Sequence, residues 1–211
     1  GNVHELIRRN SMSESVMRIA LSRGVGERGY GVTGEEQPTL LITQHPLPPT
    51  PAKLLSLVST SARVAIGDPL AKVKSANKLG SILAKRDAAA QGADDGLILN
   101  SDGNVTETSS ANLFWVEGGT LHTPPLSDGV LPGVTRRLVV GLASALGQAV
   151  REESVASDRL QQADAVFVTS AATGVIAVGQ VNGGALGTHP LVCQLQDAYD
   201  AELARHAAAG D

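Results

Sequence analysis

The middle of the chain carries a succession of short apolar segments separated by turn residues. The first segment, Leu97 to Leu99, is followed by Asn100 to Gly103, a run of Asn, Ser, Asp and Gly that favours a tight hairpin turn. Further segments of the same kind follow at hairpin spacing: 105–107, 112–116 and 120–122. Since strands this short and this close in sequence pair with their neighbours, the pattern predicts an antiparallel meander.

Helical segments flank the meander on both sides. Residues 75–91 form a predicted helix whose apolar stripe includes Leu79, and residues 133–146 form another with Leu146 facing inward. Two further strands, 15–22 and 39–43, are predicted near the start of the chain. The elements predicted after them are strands 54–66, 149–155, 165–169 and 175–181 and helices 157–162 and 190–205. Because helices and strands are mixed without a strict βαβ repeat, the predicted fold class is mixed α/β (α+β).

A proline-rich segment predicts a boundary between two domains. Four prolines fall between residues 46 and 51, and proline fixes the backbone angle φ and removes a hydrogen-bond donor, so the segment is a stiff connector. The predicted organisation is residues 1–45 as the remainder of a smaller α/β domain, 46–53 as a linker and 54–211 as the main domain.

The start of the chain indicates missing sequence. A predicted helix at residues 3–10 opens the chain with neither a Met nor an approach segment, so we expect an N-terminal truncation. The alternative is a complete domain that follows a tag remnant, Gly1.

Composition excludes several classes of protein. The 211 residues carry 21 acidic and 17 basic side chains, and the aromatic residues are few: one tryptophan, two tyrosines and two phenylalanines. Neither a nucleic acid nor a membrane is therefore an expected partner. Cys193 is the single cysteine, which excludes an internal disulfide and fits a cytoplasmic protein. The five histidines are scattered without helical spacing, and we predict no metal site.

Two loops have the residues of an anion-binding site. In the first, Gly129 to Arg136, a glycine-proline loop opens a helix, whose first amides lack internal acceptors and favour an anion. In the second, Thr169 to Gly174, small and hydroxyl residues follow an apolar strand. The alternatives are a simple helix start and a small-residue turn. A sugar-phosphate or nucleotide site on the first loop alone also remains open.

Lys74 and Glu107 are the candidate chemical groups. Lys74 stands among small and apolar residues, where a lysine with a lowered pKa could form an imine, although a solvated surface lysine is the alternative. Glu107 lies in a predicted strand between hydroxyl residues, and a carboxylate there needs a partner. That partner is either a salt-bridging cation or the N–H group of a heterocycle.

These motifs together resemble the class IV aminotransferases, the fold-type IV enzymes of pyridoxal 5′-phosphate (PLP). The resemblance rests on four segments in order: 74–85 (KSANKLGSILAK), 105–115 (VTETSSANLFW), 131–136 (LPGVTR) and 163–170 (ADAVFVTS). It extends from about Glu5 to the C-terminus and implies a pseudo-barrel domain that binds PLP. By resemblance the enzyme acts on a small-molecule amino substrate and forms a homodimer.

The resemblance also implies a role for each matched residue. Lys74 corresponds to the catalytic lysine that bonds the cofactor, and Glu107 to the carboxylate that meets the pyridine nitrogen. Val134 and Thr135 fall at the phosphate-binding helix start, and Ser170 and Ala171 at the second loop on the phosphate side. This sequence departs from the family pattern at the N-terminus, where the family's chains are longer and carry an arginine that holds the phosphate.

The subfamily is less sharply indicated. Residues 21–31 (LSRGVGERGYG) resemble the RGxGxRGY stretch of the 4-amino-4-deoxychorismate lyases, which release pyruvate and 4-aminobenzoate in the folate branch. That similarity makes Arg28 a candidate for binding a substrate carboxylate, against the alternative that it caps a glycine loop. The Lys74 segment equally resembles D-amino acid aminotransferase, whereas Lys78 stands where branched-chain aminotransferases usually have Tyr. A D-amino acid or branched-chain transaminase and a non-catalytic fragment without cofactor are therefore the alternatives.

Overall fold

The computed structural model describes residues 2–49 and 54–209, which belong to two units, Gly1–Pro49 and Thr50–Asp211. The smaller unit contains helix α1 (Asn2–Asn10) and strands β1 (Val16–Ser22) and β2 (Thr39–His45), which pair antiparallel. All of its described residues are exposed or half-buried. Of the predicted linker 46–53, residues 50–53 lie outside the described part of the chain.

The larger unit contains strands and helices without regular alternation. Its elements are β3 (Leu55–Val64), α2 (Leu79–Ala90), β4 (Asp95–Asn100), β5 (Val105–Thr108), β6 (Asn112–Glu117), β7 (Thr120–Thr123), α3 (Val134–Ala145), β8 (Val150–Glu152), α4 (Ser157–Leu160), β9 (Ala165–Ser170), β10 (Gly174–Val181), β11 (Gly184–Ala185) and α5 (Pro190–Ala209). The predicted meander is confirmed, because β4 through β7 pair antiparallel in sequence order.

Strand pairing closes the sheet into a barrel. β10 pairs with β3, β3 with β4, β4 with β5 and β5 with β6, while β9 pairs with both β6 and β10 and so completes the ring. β7 and β8 extend the sheet beyond β6, and β11 extends it beyond β10. This closed sheet with helices around it confirms the predicted mixed α/β class.

Alternate residues of the central strands face two separate cores. Leu113 and Trp115 of β6 belong to the core that also contains Leu57 and Leu97, inside the barrel. Phe114 faces the other way, stacks on Phe167 with ring centroids 5.0 Å apart, and belongs to the core under α3 and α5. Burial on both faces explains why β6 is a continuous apolar run.

The predicted helix 75–91 is wrong at its start and on its buried face. The helix begins at Leu79, which is 62% exposed, and its buried residues are Ala84 and Ala88. The backbone of α2 lies close to Gly96 of β4: a Cβ added at Gly96 would be 2.5 Å from the Ala84 carbonyl oxygen. Because the helix and the strand approach so closely, only small side chains fit between them.

Two other expected boundaries also change. Leu146, predicted to face inward, follows the last residue of α3 as its C-cap and is 45% exposed. The strand predicted over 149–155 is limited to Val150–Glu152, where β8 pairs in parallel with β7.

Gly96 yields a stability prediction. Gly96→Ala is expected to destabilise the larger unit by about 1–3 kcal/mol, because the added methyl group would overpack the α2–β4 contact. Gly141→Ala is the matched control: that site in α3 has open space around it, and alanine there should stabilise the helix by about 0.5–1 kcal/mol. Urea unfolding measures both, and equal stability of Gly96→Ala and the unaltered chain would contradict the packing described.

Candidate functional site

A β-bulge turns Glu107 away from the barrel interior. In the pairing of β5 with β4, Glu107 lies opposite Ile98 and Val105 lies opposite Leu99, with a register shift between them. Because Ile98 and Leu99 are consecutive, their side chains point to opposite faces. Val105 therefore stays in the barrel core with Leu99, whereas Glu107 emerges on the other face.

Glu107 is held by one side chain and one backbone amide. Its Oε2 accepts hydrogen bonds from Asn112 Nδ2 and from the Leu131 N–H, both at 3.2 Å. Its Oε1 accepts no hydrogen bond from any described residue. The site thus contains a half-buried carboxylate with one oxygen still able to accept an N–H group.

Asn112 links this carboxylate to the start of α3. Asn112 Nδ2 also donates to the Leu131 carbonyl at 2.9 Å. A Cβ at Gly133, the N-cap of α3, would lie only 2.0 Å from Asn112 Oδ1, so the close approach requires glycine. The carboxylate and the helix start are therefore fixed relative to each other by the Asn112 side chain and by the direct hydrogen bond from the Leu131 N–H.

The helix start itself has the features of an anion site. No side chain caps it, and the first-turn amides of an α-helix have no acceptor within the helix. Val134 is exposed and Thr135 is buried. No acidic residue lies in this first turn, so the positive end of the helix dipole is not compensated there by a carboxylate of the turn itself.

Strand register brings the second predicted loop beside the first. Asn112 of β6 pairs with Thr169 of β9, which places Ser170 one residue beyond that pair. The Ser170 hydroxyl lies 2.8 Å from the Thr173 hydroxyl and accepts the Thr173 N–H at 3.2 Å, while Ala171 is exposed. Thr169 Oγ1 is buried without a hydrogen-bond partner among the described residues.

Two lysines act electrostatically on Glu107. Burial raises the pKa of the Glu107 carboxyl above its ordinary value of 4.5, and the Leu131 N–H, the Lys78 ammonium and the Lys74 ammonium each oppose that rise. Both ammonium groups are therefore close enough to the carboxylate to stabilise its charged form. Lys74 is exposed, contrary to the expectation of apolar surroundings, and Lys78 is half-buried at the N-cap of α2.

The structure thus brings together most of the predicted site. Lys74, Glu107 and the loops that begin at Gly133 and Thr169 all belong to one unit, whereas Arg28 belongs to the smaller one, exposed between β1 and β2. Asn112 is the residue that the sequence analysis missed as a functional candidate. Its signal was a polar amide at the first position of a strand whose four central residues are apolar.

Comparison with known proteins identifies the family. Residues 1–181 match the family described as amino-transferase class IV. A Methanocaldococcus jannaschii protein with the proposed activity of a branched-chain-amino-acid aminotransferase is 32% identical over 183 residues, which cover 86% of this chain and 64% of that relative. The chain belongs to the class IV aminotransferase family, and it spans somewhat less than two thirds of that relative's length.

Solved structures agree with this family. A Legionella pneumophila protein, described as a proposed 4-amino-4-deoxychorismate lyase, has a TM-score of 0.90 at 30% identity, over 95% of this chain and 75% of its own. The branched-chain aminotransferase of the archaeon Thermoproteus uzoniensis, crystallised with norvaline, has a TM-score of 0.88 at 29% identity, over 94% of this chain and 68% of its own. Another branched-chain aminotransferase of the same fold, with a TM-score of 0.83 at 29% identity, was crystallised with N-(5′-phosphopyridoxyl)-L-glutamate. These similarities confirm the predicted family fold.

Glu107 yields a prediction for the pH dependence of stability. Because its folded pKa is raised, the folded chain holds a proton that the unfolded chain loses as the pH rises past 4.5, so stability falls through that window. Glu107→Gln keeps an acceptor oxygen and removes the charge. We expect it to raise the unfolding free energy of the ligand-free chain at pH 7 and to leave it unchanged at pH values below 4.

Urea unfolding at both pH values measures this effect. Glu14→Gln is the control, because Glu14 is exposed and unpaired among the described residues and should change stability little at either pH. A Glu107→Gln variant that is less stable than the unaltered chain at pH 7 would show that the carboxylate is not under a burial penalty.

Proposed function

We propose that the chain is the larger part of a PLP-dependent enzyme that acts on an amino-group substrate. The observation that carries the proposal is the bridge made by Asn112, which fixes a carboxylate with a free oxygen beside an uncapped helix start, with Lys74 near enough to act on that carboxylate. PLP makes three corresponding demands: an acceptor for its ring N–H, donors for its phosphate, and an amine for its aldehyde.

The residues present fit these three demands. Glu107 Oε1 is free to accept the ring N–H, and a protonated nitrogen there would offset the burial of the carboxylate. The amides of Val134 and Thr135 would donate to the phosphate, with Ser170 and Ala171 on the neighbouring loop. The Lys74 amine is exposed and bonded to no acceptor among the described residues, so it is available.

The proposed mechanism assigns one task to each residue. When bound, the cofactor supplies an electron sink for the substrate carbon next to the amino nitrogen. Lys74 Nζ would take the proton from that carbon as a general base and would return it later in the cycle. Glu107 would accept a hydrogen bond from the ring N–H and so keep the ring nitrogen protonated. Arg28 would bind a substrate carboxylate.

For the reaction we propose 4-amino-4-deoxychorismate lyase, with release of pyruvate and 4-aminobenzoate. The glycine-rich segment around Arg28 and the similarity to the Legionella protein support it. A branched-chain transaminase is the second candidate, because the M. jannaschii relative and the T. uzoniensis structure carry that name. A cytoplasmic homodimer is part of the same proposal.

The cofactor assignment is tested by reductive trapping. After incubation with PLP and borohydride, mass spectrometry is expected to locate the phosphopyridoxyl group on Lys74, because it is the exposed one of the two lysines that act on Glu107. Lys74→Ala should lose the label, whereas Lys72→Ala, a change at an exposed neighbour, should keep it. Labelling spread evenly over surface lysines would contradict the assignment and favour the alternative, a fragment that keeps the fold without the cofactor.

The reaction is tested with the intact protein that contains this chain. Release of 4-aminobenzoate and pyruvate from aminodeoxychorismate is expected, with slow or no transfer of the amino group from branched-chain amino acids to 2-oxo acids. Lys74→Ala should abolish either activity, since both need the same proton transfers. Efficient transamination without formation of 4-aminobenzoate would select the second candidate.

A further inference from the structure

The first turn of α3 contains a buried cation. Arg136 is 6% exposed, although it is the third residue of the helix, where the helix dipole disfavours positive charge. Burial adds a desolvation penalty to this unfavourable position. The adjacent Arg137 is exposed, as an arginine in this turn would ordinarily be. Because its charge is unfavourable in both respects, we expect Arg136 to have a structural or functional role at this helix start.

Arg136 fastens the helix start to the sheet extension. Its Nη2 donates to the Pro124 carbonyl at 3.1 Å and lies 3.2 Å from Glu152 Oε1 on β8. Pro124 directly follows β7, so the guanidinium ties the first turn of α3 to the ends of both β7 and β8. Its Nε is buried and has no hydrogen-bond partner among the described residues.

The loop that leads into α3 is thereby held from two sides. On one side Asn112 bonds the Leu131 carbonyl next to Glu107, and on the other Arg136 bonds the Pro124 carbonyl. The charge of Arg136 is only partly balanced, since Glu152 is half-exposed to solvent. An anion at the helix start would therefore gain from both fixed amides and a net positive charge in the same turn.

We propose that Arg136 is a positioning residue that sets the affinity for the phosphate group of the bound ligand, through the amides of the α3 helix start. The inference rests on the proposed function, since it needs PLP at this helix. It assigns no contact between Arg136 and the reacting atoms. Substitution of Arg136 should therefore weaken the binding of a ligand that carries the phosphate group and leave recognition of the ring unchanged.

The test compares pyridoxal 5′-phosphate with pyridoxal, which lacks the phosphate. Titration is followed by the amount of borohydride-trapped adduct on Lys74, in the unaltered chain and in Arg136→Gln. We expect PLP affinity to fall about threefold to thirtyfold and pyridoxal affinity to change less than about twofold, the scale of a partly buried helix-terminus charge effect. The inhibition constant of inorganic phosphate against PLP should also rise in the variant.

Matched variants separate positioning from general damage. Arg137→Gln should keep the affinity for both ligands, and Arg136→Lys, which retains the charge but not the forked geometry, should fall between. If Arg136→Gln does not fold, Arg136→Lys decides, and it should weaken PLP more than pyridoxal. Equal loss for both ligands, or no loss for PLP, would overturn the inference. Failure of the unaltered chain to bind either ligand would overturn the proposed function and this inference with it.

Discussion

The two hydrogen bonds from one amide group, Asn112 Nδ2, are the constraint on which the site depends. They join the Glu107 carboxylate to the backbone carbonyl of Leu131, two residues before the N-cap of α3. Strand β6 gives this amide its fixed position, because its central residues are buried on both faces. Gly133 is then required, since any larger residue would collide with Asn112. A barrel strand, a bulge and a helix start are in this way locked into one local geometry.

The charged groups of the site are only partly paired among the described residues. Burial raises the pKa of Glu107, and its two hydrogen-bond donors share one oxygen, while the other oxygen has none from the described residues. Lys74 and Lys78 compensate only in part. On the other side of the same loop, Arg136 is a buried cation with an incomplete set of partners. Under the proposed function, a ring N–H would pair the free Glu107 oxygen, and a phosphate at the start of α3 would offset the positive charge of Arg136 through space.

The sequence was sufficient for elements whose patterns are local. Turn residues after Leu99 and the apolar run of β6 predicted the meander, and the four motifs predicted a family that the comparisons confirm. The buried face of α2 was mispredicted because Leu79 resembles a core residue, whereas the packing limit is set by Gly96 in the following strand, β4. The bulge at Glu107 and the two hydrogen bonds of Asn112 likewise depend on partners outside their own segments, so no local pattern predicts them. The roles assigned to Lys74, Glu107, Val134, Thr135, Ser170, Ala171 and Arg28 stay predictions.

The most direct measurement of the central claim is the titration of Glu107 itself. Carbon-13 NMR of a chain labelled at the glutamate carboxyl, with the resonance assigned by loss in Glu107→Gln, reports the pKa without and with PLP. We predict a pKa above 4.5 in the free chain and a clear fall when PLP is added, because a ring N–H would then stabilise the anion. An ordinary pKa in the free chain, or no response to bound PLP, would contradict it.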